Sequence, residues 1–219
     1  MFDSCIELKY SNDDEWHKIR SNKIGGSDSA VILNKEHEYK NINQLWNEKT
    51  GRKKEKDISQ KEAVIKGTRS EKPLLDILRI RHQDWEIIEP NVTYQSKDYP
   101  FMIANLDGIA KTPEGIIGIE IKTTTIRKPK QWDEWKDDVP FNYYCQVLHY
   151  MTVTGLKEFV LFAMIDKPNY YNHTTTTYLR EYKILLKESE KNLLIKKEKE
   201  FYNFILKNEE PPYIKNLTI

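Results

Sequence analysis

The chain has 219 residues, 35 basic and 34 acidic side chains, a formal net charge of +1 and 38% hydrophobic content. That suffices for one domain with a real core, and it excludes a global basic field, so any polyanion partner must be met by positive charge gathered locally. Cys5 and Cys145 stand far apart with no C-x-x-C pair, which argues against a disulfide framework, a zinc site or an iron–sulfur cluster and suits a reducing, cytoplasmic setting. Met1 to Trp16 is polar and acidic, so no signal peptide is expected. The longest apolar run, Phe159 to Ile165, is too short to span a bilayer, and no membrane partner is expected.

Residues 1–23 read as an irregular or partly helical lead-in with a basic end. In Ile24-Gly25-Gly26-Ser27-Asp28, two glycines precede an apolar run, which predicts a loop entering a helix with Ser27 or Asp28 as N-cap. Free N–H groups at such a start, with the helix dipole and nearby Arg20, form a natural anion pocket; an ordinary capped helix uses the same residues. Asn43 to Thr50 reads as a short helix closed by Gly51, and the run 52–56 as a charged, solvated loop. Glu62 to Ile80 has helical spacing, and Gly67 and Pro73 predict a bend or a later start. Glu71 within it reads as a surface helix glutamate. Trp85 to Tyr94 reads as one strand.

The stretch that carries chemistry follows. Phe101-Met102-Ile103-Ala104 leads to Asp107, and after Gly108, Pro113 and Gly115 the run Ile116 to Ile119 leads to Glu120-Ile121-Lys122. Two apolar runs separated by turn residues predict paired strands. Period-2 alternation puts Glu120 and Lys122 on one face and Ile121 on the other. Pairing brings Asp107 to Glu120, and two carboxylates in one patch call for a cation such as Mg²⁺ or Mn²⁺. A lysine beside them can orient a water or steady developing negative charge, which is the chemistry of phosphodiester hydrolysis. A β-hairpin with a surface salt bridge would show the same letters.

Arg127, Lys128 and Lys130 come directly after this stretch and could grip a phosphate backbone. Trp132 and Trp135 read as packing anchors in a loop. Phe141 to Met151 is helical by spacing, with Thr154-Gly155 ending the helix, and Gln146 among its apolar neighbours must be satisfied by backbone or aimed at the site. Glu158 to Ile165 reads as a central strand and 174–186 as a further strand. Ser189 to Lys207 reads as an amphipathic helix burying Leu193, Leu194, Phe201, Phe204 and Ile205, stopped by Pro211-Pro212.

These pieces, in this order, resemble the YqaJ-type viral recombinase family, a branch of the PD-(D/E)XK nucleases related to phage lambda exonuclease. The resemblance rests on Arg20 with Ile24-Gly25-Gly26-Ser27-Asp28, on Leu45-Trp46 with Glu48-Lys49-Thr50-Gly51, and on Gly67 with Glu71. It continues through Leu106-Asp107-Gly108, Glu120-Ile121-Lys122-Thr123, Val139-Pro140, Tyr143/Tyr144, Gln146 and Phe201-x-x-Phe204. Leu106 stands where the family signature often has proline. The resemblance implies an α/β fold with a restriction-endonuclease-like core, a central mixed β-sheet flanked by helices. It implies one nuclease domain over 1–219: a helical 5′-phosphate-binding part (1–60), a catalytic core (61–165) and a C-terminal strand and helix (166–219).

The implied roles are these. Asp107, Glu120 and the Ile121 carbonyl hold Mg²⁺, with Mn²⁺ able to substitute, and Glu71 binds a metal or its water. Lys122 positions or activates the attacking water, and Gln146 buttresses it. Arg20 and Ser27 hold the 5′-phosphate of a DNA end. The expected activity is a metal-dependent 5′-to-3′ exonuclease on linear double-stranded DNA, feeding a single-strand annealing recombinase, and relatives of lambda exonuclease form homotrimeric rings. A restriction- or repair-type endonuclease on the same core, and a non-catalytic DNA-end-binding module, are the alternatives.

Overall fold

The computed structural model describes residues 2–33 and 40–212; Met1 and 213–219, the ends of the expected 1–219 unit, lie outside the described residues. In chain order the elements are β1 (Cys5–Leu8), α1 (Asp13–Arg20), β2 (Ile24–Gly25), α2 (Gly26–Leu33), α3 (Ile42–Lys49), α4 (Glu62–Arg81), β3 (Glu86–Ile88) and β4 (Thr93–Ser96). They continue with β5 (Met102–Ala104), β6 (Gly108–Thr112), β7 (Gly115–Thr125), α5 (Pro129–Asp133), α6 (Phe141–Thr154), β8 (Glu158–Asn169), β9 (Thr174–Leu185) and α7 (Glu188–Lys207).

The expected mixed central sheet is the five-stranded one, in the order β3-β6-β7-β8-β9, with β7 and β8 parallel and the other pairs antiparallel. A second, four-stranded sheet in the order β1-β4-β5-β2 lies beside it. Alternation along β7 decides what each face meets. Ile117, Ile119 and Ile121 pack with Leu74, Leu75 and Leu78 of α4. The opposite face, with Phe159, Leu161 and Ala163 of β8, packs against Val147 and Met151 of α6. Glu120 and Lys122 lie on this α6 side. Gly118 belongs there too, and a Cβ on it would stand 2.2 Å from the Phe159 ring, so only glycine lets that ring lie across the strand.

Several boundaries differ from the sequence reading, each for a physical reason. The partner of β7 is not the Phe101–Ala104 run, which forms β5 in the small sheet. It is β6, whose Ile109 and Ala110 are buried, so the turn shrinks to Pro113-Glu114. Trp85 to Tyr94 splits around Pro90 into β3 and β4, which join different sheets. Helix α4 runs unbroken for 20 residues through Gly67 and Pro73. Pro73 lies on its exposed side, and three buried leucines at about 2 kcal/mol each outweigh a proline penalty of roughly 3 kcal/mol. Leu193 is 52% exposed, and α7 instead buries Leu194, Ile195, Glu198 and Phe201. That helix ends at Asn208 in the left-handed conformation, ahead of the prolines. Gly51 and Gly155 close α3 and α6 with positive φ, as their positions predict.

One buried polar cluster ties the helices together. His149 of α6 and Glu198 of α7 are fully buried, with Nδ1 to Glu198 Oε1 at 2.9 Å and Nε2 to the Ile103 carbonyl of β5 at 2.9 Å. Ser29 of α2 donates to the same carboxylate at 2.7 Å. Both ring nitrogens face acceptors. Burial disfavours the imidazolium, but the Glu198 charge outweighs it and holds the His149 pKa above its ordinary 6.5. Breaking a buried pair strands the other charge, so Glu198→Ala is expected to cost about 3 kcal/mol of stability. A raised histidine pKa contributes stability that is full below 6.5 and lost as pH rises through the higher folded value. Urea unfolding across this range should therefore show the Glu198→Ala penalty shrinking as pH rises.

Candidate active site

The centre of the site is a carboxylate carried into the sheet. Glu120 is 2% exposed. Its Oε1 accepts from Lys122 Nζ at 2.5 Å and from Gln146 Nε2 at 2.7 Å. Its Oε2 is buried and has no hydrogen-bond partner. Asp107, in the short link between β5 and β6, accepts the Ile121 N–H at 2.7 Å, which brings it to the same stretch of β7. Lys122 follows Glu120 on the same face, with its ammonium 5.1 Å from the Tyr143 ring. Gln146 reaches in from α6 and also donates to the Tyr150 hydroxyl at 2.9 Å, one helical turn on.

The electrostatics follow from burial. Glu120 is pushed up to about 8, first by burial and then by the Asp107 charge, against the pull of Lys122. Burial likewise raises Asp107, opposed by Lys122 and the Ile121 N–H. Burial works against the Lys122 ammonium, but Glu120 and Asp107 outweigh it and hold its pKa above the ordinary value. Glu71 stands at the rim, open to solvent on one side, and is pushed to about 7 by partial burial and by Asp107.

This donor set fits a hard divalent cation. An orphaned buried carboxylate oxygen beside a second raised carboxylate gains most from a positive charge, and oxygen donors suit Mg²⁺ or Mn²⁺. Among the described residues, no three His, Cys, Asp or Glu side chains already converge on one point. Glu71 comes from α4, packed on the other face of the sheet, so the fit rests on Asp107 and Glu120.

The N-terminal segment reaches the same place. Helix α2 starts at Gly26, so neither Ser27 nor Asp28 is its N-cap; Asp28 instead accepts the Gly25 N–H at 3.0 Å and pairs with Lys49 at 2.7 Å. A Cβ on Gly26 would stand 2.5 Å from the Tyr150 ring and 2.9 Å from Gln146 Cγ. The helix start is thus pressed against the residue that holds Glu120. Arg20 donates to Asn105 Oδ1 at 3.2 Å and stacks over Trp16 at 4.4 Å; Ser27 is exposed on the first turn. Arg127, Lys128 and Lys130 are exposed beyond the end of β7. Lys167 and Arg180 each lie over the Trp132 ring, at 4.3 and 4.8 Å from its centre, whereas Trp135 is buried as a packing anchor.

Sequence reading missed Asn105, Tyr150, Lys167 and Arg180. Tyr150 had a local signal, four residues after Gln146 on one helix face. Asn105, two residues before Asp107, and the two cations around Trp132 depend on strand pairing between distant segments.

Comparison with known proteins agrees with this architecture. A family model described as the YqaJ-like viral recombinase domain matches residues 15–157. The uncharacterized protein YqaJ of Bacillus subtilis (strain 168) is 32% identical over 142 residues, which is 65% of this chain and 42% of that protein. The chain thus spans less than half the length of this relative. An alkaline exonuclease (LHK-Exo) from Laribacter hongkongensis superposes with a TM-score of 0.66 at 16% identity, over 89% of this chain and 93% of that one. A SOX–DNA complex superposes at 0.57 with 10% identity, over 88% and 67%. The fold is that of the lambda-exonuclease-like PD-(D/E)XK nucleases. Among the described residues no helix is long and apolar enough to cross a membrane.

A carboxylate with a raised folded pKa is most compatible with folding when protonated. Without metal, ionising Glu120 should cost stability progressively from pH 4.5 up through about 8. In thermal unfolding with a chelator, Glu120→Gln is expected to match wild type below pH 4.5 and to exceed it above pH 8.

Proposed function

This chain belongs to the YqaJ-like viral recombinase family, and on that footing we propose that it is a metal-dependent 5′-to-3′ exonuclease acting on linear double-stranded DNA. The observation that carries the nuclease reading is the unpartnered Glu120 oxygen beside Asp107 and Lys122. The alkaline exonuclease and the SOX–DNA complex share the fold, which supports a DNA substrate here.

Asp107 and Glu120, with the Ile121 carbonyl, would hold Mg²⁺ or Mn²⁺, and Glu71 at the rim would bind a metal or its water. When bound, the ion supplies an activated water and neutralises charge on the phosphate. The other work falls to the chain. The Lys122 ammonium aligns a water for attack on phosphorus and steadies the charge that grows on the phosphate oxygens. The new P–O bond forms as the bond to the 3′-oxygen breaks, and that oxygen takes up a proton. Gln146 keeps Glu120 from turning away, and Tyr150 keeps Gln146 in place. Arg20, Ser27 and the start of α2 meet the 5′-phosphate of an end. Arg127, Lys128 and Lys130 hold backbone phosphates further along. A homotrimeric ring and a single-strand annealing recombinase are the partners this reading brings; a monomer mass by light scattering at working concentration would remove the ring.

Digestion of linear duplex beside a covalently closed circle of the same sequence tests this. With Mg²⁺ the linear form alone should disappear, and Lys122→Ala should slow its loss by about a thousandfold, the scale seen when one charge-stabilising donor is removed. Cutting of both forms would favour an endonuclease. Binding without cutting would favour an end-binding module.

A further inference from the structure

A second cation, Lys23, shares a sheet face with Arg20. Strand β2 pairs in parallel with β5, and β4 pairs antiparallel with it, so register assigns side chains to faces. Gly25 and Gln95 each pair with Ile103, parity adds Thr93 to the same face, and hydrogen bonds bring Asn105 to Thr93 and Lys23 to Gln95 there. A Cβ built on Gly25 would point at the Arg20 guanidinium 3.4 Å away, so Arg20 lies over this face as well. Lys23 closes the turn that leads into β2, its N–H donating to the Arg20 carbonyl at 3.1 Å.

Both cations are held by neutral amides. Asn105 Nδ2 donates to Thr93 Oγ1 at 2.8 Å, which leaves Oδ1 to accept from Arg20 at 3.2 Å. Gln95 Nε2 donates to the Pro100 carbonyl at 2.6 Å, which leaves Oε1 to accept from Lys23 Nζ at 3.3 Å. Neither cation has a carboxylate within ion-pair distance among the described residues, although Lys40, Lys49 and Lys66 each do. The nearby acid, Asp28, is taken by Lys49 and the Gly25 N–H. An amide orients a cation without cancelling its charge; a carboxylate would cancel it. Burial also holds the Lys23 pKa below its ordinary value, the mark of an ammonium short of solvation that an anion would supply.

We propose that Lys23 is a second cation of the end site beside Arg20, and that its charge strengthens the preference of that site for a terminal phosphate monoester over an internal diester. This rests on the reading of Arg20 as the residue that meets the end. A monoester carries about −1.5 to −2 near neutral pH, with a second pKa of about 6, whereas a diester carries a single charge. Two uncancelled cations match the first. The helix start that adjoins them touches Gln146 and Tyr150, so a seated end phosphate lies next to the residues that hold Glu120.

The test is binding of duplexes of one sequence with either 5′-phosphate or 5′-hydroxyl ends, in chelator so that nothing is cut. Wild type should prefer the phosphate end, and the preference should fade between about pH 7 and 5.5 as the monoester takes its second proton. Lys23→Gln should reduce the preference by about tenfold or more, the scale of one charge-assisted hydrogen bond. Gln95→Glu should reduce it as much by neutralising Lys23 in place, and Lys23→Arg should retain it. A Lys23→Gln protein with the wild-type preference, or one weakened equally for both ends, overturns the proposal while leaving the end-capture reading intact. A wild type that does not distinguish the ends overturns both.

Discussion

The fold is arranged around the burial of one ionisable carboxylate. An isolated carboxylate cannot stay charged in such a place without partners, and Glu120 has partners for only one of its oxygens. Lys122 and Gln146 share Oε1, and the other oxygen is buried without a hydrogen-bond partner. Placing that side chain in mid-strand requires a strand covered on both faces, which the α4 and α6 layers supply. It also requires α6 to hold one register, because Gln146 is useful only at hydrogen-bond distance. The His149–Glu198 pair, with Ser29 and the Ile103 carbonyl, anchors α6 to α7, α2 and the small sheet a single turn from Gln146.

The two sheets divide the work. The large sheet carries the carboxylates and the lysine, with α6 over them. Beside the small sheet stand Arg20 and Lys23, which have no carboxylate partner at ion-pair distance among the described residues. Gly26 is where the parts meet, since any side chain there would push Tyr150 and Gln146 aside. An anion seated there, as proposed, would therefore share one contact with the group that orients Glu120. Under the proposed function, Arg20, Lys23, Lys167, Arg180 and the 127–130 stretch would supply the local positive charge that a chain of net charge +1 needs to meet a polyanion.

Much of this was legible in the letters, because period-2 alternation is a strong constraint. Glu120 and Lys122 had to share a face, and isoleucines at 117, 119 and 121 had to share the other. Helix ends at Gly51 and Gly155 were legible because left-handed residues have few alternatives to glycine. What failed was pairing. Phe101 to Ala104 and Gly108 to Thr112 are both apolar enough for a strand, and only tertiary packing decides which joins β7. Pro73 signalled a break that three buried leucines override. Asn105, Lys23 and Gln95 looked like ordinary polar residues, since their meaning lies in which strand faces which. Glu71 lies near the site, yet it approaches from the opposite layer, so its letter and its helix could not tell how closely it joins the carboxylates.

The most direct measurement of the central claim is calorimetric titration of Mn²⁺ into the protein without DNA, near pH 7, in two buffers of different ionisation enthalpy. Burial and the Asp107 charge raise the Glu120 pKa to about 8, which favours the protonated form near pH 7, so a cation bound at its carboxylate is expected to displace a proton. The account predicts saturable binding whose heat differs between the buffers by the release of a proton, and loss of that binding in Glu120→Gln. Binding retained in Glu120→Gln, with a heat that does not depend on the buffer, would contradict it.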